Sequence, residues 1–391
     1  RRTNVIYSSS ESETELIEES NDTNCDITWT KKNFVPKIHQ FISKSSGIAK
    51  QIRRSSNHYF QLFELEIIVY ETNYYWAEQS YNNVNTLEIT TLNELYCFFA
   101  MLLLMTRNKK LSLKEYWSTD HFLQSDIFRT IMTRDRCFLL LRMIHFSHEP
   151  GRIGDRLTKI INIIDMLRKS FNAAFQPYQK LCIDESLLLY KGRLSFKQYI
   201  PSKRNRFGIN SFILCDCKIG YVQDIIVHTG SSTIPDSETK EIGKSGAIVL
   251  ALLKPYLGKG HTLFIPALFN LLYSKCTNVC GTVRRRRQGM LKIDDQLKKR
   301  RSIFSFFEKF CRFYDSIQIW RKTDSAKACM YYNNSVGIVD KVNMVISTVD
   351  SKCKSLKWYR ELFFHLIDIC VWNAYCLYKH KRKETIPMAI F

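Results

Sequence analysis

The sequence predicts an α/β chain, all-helical in its first half, with a mixed sheet flanked by helices in its second. Three observations carry this. Apolar residues recur at three- and four-residue spacings from Trp29 to about Gln179, the period shortens toward two just after Gln179, and helices then alternate with strands. The helical text includes FQLFELEIIVYETNYYWAEQ, LNELYCFFAMLLLM and DRLTKIINIIDMLRKSFNAAF, with a turn at Ser118, Thr119 and Asp120. The strands are LCIDESLLLY, NSFILCDC and GYVQDIIVHTG. A helix over Ser245 to Leu257, a strand at HTLFI, a short helical stretch and a strand at TNVCGTV follow. Three neighbouring strands followed by alternating helix and strand is the order of an RNase H-like sheet. The helical segment from Ser355 to Lys379 is expected to close that domain and pack its aromatic groups against the sheet.

Composition bounds what such a chain does. Its 391 residues, 45% apolar and 13% aromatic, suffice for two or three cores. The net charge of +21 is unevenly spread. Residues 1–30 hold seven acids against two bases, leaving 56 bases against 30 acids in the body, a net +26. A surface that basic attracts polyanions, of which DNA and RNA are the common cellular ones. Residues 1–28 are acidic and Ser-rich and are expected to be disordered, because they bury too little to offset ordering entropy. The thirteen cysteines sit in apolar runs and read as buried thiols, and Cys215 and Cys217 lack the partners of a zinc site. The longest apolar stretch, Leu95 to Met105, has 11 residues, too few to span a membrane. Arg1 stands where an initiating methionine would, which points to a fragment.

One stretch is specific. IDESLLLYKGRLSFKQYIPSKRNRFGIN, residues 183–210, is followed in order by LCDCKIGYVQDIIVHTG, LLKPYLGKGHTLF, CGTVRRRRQG, VDKVNM and SLKWYRELFFHLIDICVWNAYCLYK. These blocks resemble the piggyBac transposase family in order and spacing, from about Trp29 to Lys379, with weaker support from YWSTD at 116–120 and LLLRMIHF at 139–146. The resemblance implies an RNase H-like transposase domain over 180–379, preceded by a helical DNA-binding and dimerisation domain over 29–179 and followed by a tail at 380–391. It implies nuclear DNA as partner and a homodimer as an open question. It also implies magnesium, because the family holds three acids around two divalent ions that activate the nucleophile and stabilise the leaving oxygen.

Carried over residue by residue, Asp184 matches the family's first metal-bridging aspartate and Asp340 its third. Pro266 falls where the second belongs, and between His261 and Arg301 the only carboxylates are Asp294 and Asp295, beyond the next strand. A further family aspartate has become Asn343. Glu185 is expected on the strand face opposite Asp184, and Asp216 at a strand end, so neither is a ready substitute. The insertion expected between CGTVR and VDK is shortened to about 284–339 and reads as charged helix plus linker, and the family's Cys-rich zinc-binding tail is not found after Lys379. The resemblance therefore implies an ancestral DNA transposase with a degenerate active site and no productively bound metal.

Candidate DNA contacts are Lys191, Arg193, Lys197, Lys203, Arg204 and Arg206, interleaved with Tyr190, Phe196, Tyr199 and Phe207. Arg284, Arg285, Arg286 and Arg287 are either further contacts or a solvated face or nuclear-localisation signal. His365 and Asp368, near neighbours on a helix, read as a hydrogen-bonded or ionic pair rather than a metal site. Two rival functions stay open: an active DDE-type transposase with a substitute ligand, and a domesticated chromatin- or partner-binding protein.

Overall fold

The computed structural model describes residues 28–30, 38–42, 45–49, 65–80, 89–148, 155–201, 206–234, 242–265, 269–281, 308–311, 314–315, 322–348, 357–383 and 386–388. The chain divides into two compact units. A helical unit takes residues 50–174, 190–195 and 343–391, and a sheet unit takes 1–49, 175–189 and 196–342.

The helices of the first half are α1 (Glu66–Ser80), α2 (Leu92–Arg107), α3 (Asp126–Ile131), α4 (Arg134–Met143) and α5 (Ile161–Ala174). Two of these helices begin on a side-chain cap. Thr91 is extended before α2 and its hydroxyl accepts the Glu94 N–H at 3.2 Å, while Thr133 does the same for Arg136 before α4. Along α5, Ile163, Ile164, Leu167, Phe171 and Ala174 are buried at the spacing that lines one helix face. The expected turn after Trp117 forms around Asp120, whose carboxylate accepts the Phe122 N–H at 2.8 Å.

The strands are β1 (Thr28–Thr30), β2 (Gly47–Ile48), β3 (Phe175–Gln176), β4 (Lys180–Leu189), β5 (Gln198–Tyr199), β6 (Phe207–Asp216), β7 (Val222–Val227), β8 (Thr262–Phe264), β9 (Asn278–Cys280), β10 (Glu308–Cys311) and β11 (Tyr314–Asp315). Helices α6 (Gly243–Leu253), α7 (Phe269–Ser274), α8 (Lys322–Thr348) and α9 (Trp358–Arg382) complete the elements. The main sheet is mixed, with order β5-β6-β4-β8-β9 and with β7 also on β6. Strands β4, β6 and β7 are antiparallel, whereas β8 and β9 join in parallel after α6 and α7. Along the chain, three neighbouring strands followed by alternating helix and strand is the succession the sequence suggested.

Period-two alternation gives the sheet two faces. Leu181 and Ile183 of β4 and Leu214 of β6 pack with Ala247, Val249 and Leu252 of α6 in one core cluster. Cys182 and Asp184 therefore stand on the other face. Gly260 precedes β8 with φ +74°, and a Cβ there would come within 1.9 Å of the Gln40 carbonyl oxygen, so only glycine lets the chain pass.

Three expectations change. The run read as all-helical contains β2 and β3, which pair antiparallel with each other, and most of β1. The segment read as charged helix plus linker contains β10 and β11, which pair antiparallel to each other, with β10 on β1 in a second small sheet. Four- and two-residue strands are too short to show a period. Helix α9 groups with the helical unit, where Phe363 lies 5.8 Å from Phe99 and 4.3 Å from Phe146. Its Arg360 donates to the carbonyls of Leu141 at 2.8 Å, Arg142 at 2.5 Å and Ile144 at 3.4 Å. A cation there satisfies the carbonyls left over at the C-terminus of α4 and complements its dipole.

Candidate functional site

Asp184 sits half-buried in the middle of β4, opposite Ile213 of β6, and its Oδ1 accepts the N–H of Glu185 at 2.8 Å. Glu185 is opposite Phe212 and so on the α6 face, as alternation requires. Asp340 is exposed on α8. The link between the two aspartates runs through Cys182, whose Sγ lies 3.6 Å from the Val336 carbonyl oxygen. Cys182 is two residues before Asp184 on the same strand face, and Val336 is one turn before Asp340, so β4 and α8 turn both carboxylates to the same side of the sheet. Burial pushes the Cys182 thiol well up, and the charges of Asp184 and Asp340 push the same way. Both charges are thus felt at one buried point. The pairing of Cys182 with Val336 had no signal in the sequence, because the residues are 154 positions apart.

Strand β8 runs parallel beside β4, with Phe264 in register with Cys182, and the Ile265 N–H donates to the Cys280 carbonyl at 3.0 Å. From His261 to Gly281 this part of the chain contains no acidic residue. Pro266 itself lies outside the described residues, as do Lys203, Arg204 and Arg284 to Arg287. Among the described residues no group of three or more His, Cys, Asp or Glu stands together so as to hold a metal ion.

Asp216 is not a spare ligand. It ends β6 fully buried, and its carboxylate accepts the N–H groups of Tyr178 at 2.7 Å, Lys218 at 2.9 Å and Ile219 at 3.0 Å. Burial raises its pKa while these bonds pull the other way. Its role is to tie the β6–β7 turn to the start of β4. Cys217 beside it has a thiol pushed up to about 12 by burial and by the Asp216 charge, as suits a structural thiol.

The basic block is divided between the units. Lys191 and Arg193 are exposed in the helical unit, whereas Lys197, half-buried, and Arg206, exposed, flank β5 and the start of β6 in the sheet unit. Tyr190 and Phe196 are buried, but Tyr199 and Phe207 are exposed. His365 and Asp368 are both buried on α9 and each has interaction partners. Of the cysteines expected to be buried, Cys137, Cys182, Cys215, Cys370 and Cys376 are buried free thiols, whereas Cys97 and Cys276 are free but exposed. Among the described residues no helix is long and apolar enough to cross a membrane.

Residues 55–302 and 289–375 match the family described as Transposase IS4. Human PiggyBac transposable element-derived protein 3 is 21% identical over 343 residues, covering 77% of this chain and 57% of its own length. The human chimeric ERCC6-PGBD3 protein aligns at the same identity, with 32% of its length covered. The chain thus spans just over half of the first of these curated relatives and about a third of the second. Among solved structures, a chain of the piggyBac transposase synaptic complex with hairpin DNA, determined by cryo-electron microscopy, superposes with a TM-score of 0.70. That match is 22% identical, covers 88% of this chain and 80% of the other, and establishes likeness of fold.

Proposed function

This chain belongs to the Transposase IS4 family and within it to the piggyBac transposable element-derived proteins, and from that premise we propose that it is a DNA-binding protein that does not carry out cut-and-paste transposition. The observation that carries the proposal is Pro266. The stretch leaving β8, the parallel neighbour of the Asp184 strand, offers proline where the family resemblance calls for an aspartate, and no acid stands between His261 and Gly281. Proline has no side-chain oxygen, so Asp184 and Asp340 would have to bind both ions between them. Magnesium, a hard ion that keeps near-octahedral oxygen coordination, is poorly served by such a set.

DNA as partner is supported by the net +26 of the body beyond residue 30 and by exposed Lys191, Arg193 and Arg206. Cations of this kind contact phosphates without reading sequence, so the affinity is steeply salt-dependent. A nuclear location and a homodimer belong to the same proposal. Nothing observed favours the rival functions over it.

The test is titration calorimetry with magnesium and manganese on the purified chain and on Pro266→Asp. The expected result is no tight uptake by the wild type and restored uptake by the variant. Uptake of two ions by the wild type would overturn the proposed lesion and put an active transposase in its place.

A further inference from the structure

The other large apolar side chains of the main sheet are buried or half-buried, but Tyr199 and Phe207 leave 54% and 47% of their surface open. They are cross-strand partners on β5 and β6, with ring centres 4.6 Å apart and planes inclined by 32°. The Lys197 Nζ lies 5.9 Å from the centre of the Phe207 ring. The Ile200 N–H donates to the Arg206 carbonyl at 2.8 Å, closing the ladder just beyond the pair, so backbone pairing fixes the rings. Next to them a Cβ on Gly208 would stand 2.0 Å from the Leu188 carbonyl oxygen, so β6 lies hard against β4 at this point. Positions 207, 209, 211 and 213 share a face of β6, and Ile213 is the partner of Asp184. The two rings therefore lie on the same face of the sheet as Asp184, six positions along β6 from its partner, or roughly 20 Å.

A cross-strand aromatic pair stabilises a hairpin, but that role is served as well with the rings covered. Here they are open, with the Lys197 Nζ over one of them, on a strongly basic chain. The ligand that matches both properties is a polyanion whose repeating unit carries a flat π face. Duplex DNA keeps those faces stacked inside the helix, whereas an unpaired strand presents them. We propose that Tyr199 and Phe207 form a stacking platform for an unpaired base of single-stranded or locally opened DNA, with Lys197 on an adjoining phosphate. The inference rests on the DNA-binding function proposed above and names the form of DNA that this face takes.

Fluorescence anisotropy on the full chain tests it with three labelled probes: a short thymidine homopolymer, an abasic strand of the same length and charge, and a duplex. The wild type should bind the thymidine strand about tenfold or more tighter than the abasic one. Tyr199→Leu should lose that preference while keeping duplex affinity, and Tyr199→Phe should retain it. Equal affinity of the wild type for thymidine and abasic strands would overturn the platform and leave DNA binding standing. Absence of salt-dependent affinity for all three probes would overturn both.

Discussion

Arg136 and Arg360 of the helical unit and Arg206 of the sheet unit stand in opposite surroundings, the first two held by internal partners and the third exposed. In the helical unit several are held by internal partners. Glu94 accepts from Arg136 Nε at 2.5 Å and Nη2 at 2.7 Å and from the Thr90 hydroxyl at 2.6 Å, and Arg136 lies 4.9 Å from the Trp76 ring centre. The Arg136 guanidinium holds the Glu94 carboxyl below the usual range. Arg360 is likewise committed to the end of α4. In the sheet unit Arg206 and Asp340 are exposed, while Asn210 and His228, adjacent across β6 and β7, are buried with side-chain atoms that have no hydrogen-bond partner. The contrast separates charge that stabilises from charge that faces the surroundings. Buried cations are expected to govern unfolding, and exposed ones to govern binding.

The largest expected effect is in the helical unit. Arg360→Met leaves the carbonyls of Leu141, Arg142 and Ile144 without their donor, and should lower stability by about 4 kcal/mol in urea unfolding. A loss under about 1 kcal/mol would show that water replaces the guanidinium and would weaken the contrast.

Acid should weaken the sheet unit next. Burial lowers the His261 pKa to about 4, although its Nδ1 hydrogen-bonds the Tyr178 carbonyl at 3.1 Å. With the folded pKa below the unfolded value, the unfolded chain binds the proton first as pH falls. Stability is full above about pH 6.5 and is lost progressively toward pH 4, by about 3 kcal/mol in all. His145 in the helical unit is lowered in the same direction, but a backbone hydrogen bond and the Glu71 charge oppose its burial. Hydrogen exchange followed by segment should therefore show the sheet unit loosening first, and His261→Gln should flatten the pH slope.

Gly208→Ala pushes a methyl group at the Leu188 carbonyl and should cost about 2 kcal/mol, read from the thermal midpoint. The smallest effect sharpens the comparison from the other side. Arg206→Ala should change stability by less than about 0.5 kcal/mol, yet reduce the slope of DNA affinity against salt by about one. A stability loss as large as that of Arg360→Met would erase the distinction between the units.

Much of the fold was legible because it is local. The strand expected over LCIDESLLLY is β4, NSFILCDC lies almost wholly in β6, and the helix expected at Ser245 to Leu257 is α6 shifted by two to four residues. Each has enough residues to show its period and a turn signal at its end. β10 and β11 are too short for that, and LFFHLIDICVW is apolar all round, so no stripe along α9 says which neighbour it meets. At the candidate site, alternation alone separated Asp184 from Glu185, but of the three N–H groups held by Asp216 only those of Lys218 and Ile219 are local, and the third, from Tyr178 38 positions away, could not be read.

The sequence by itself determined the periods, the caps and the basic surplus, all properties of residue type and short spacing. Tertiary structure decided which distant residues meet: Cys182 with Val336, which turns Asp184 and Asp340 to one side; Arg360 with the end of α4; and Tyr199 with Phe207, open on the Asp184 face. Those pairings depend on strand register and on which helix covers which face, and these are fixed only when the whole chain buries its apolar surface at once.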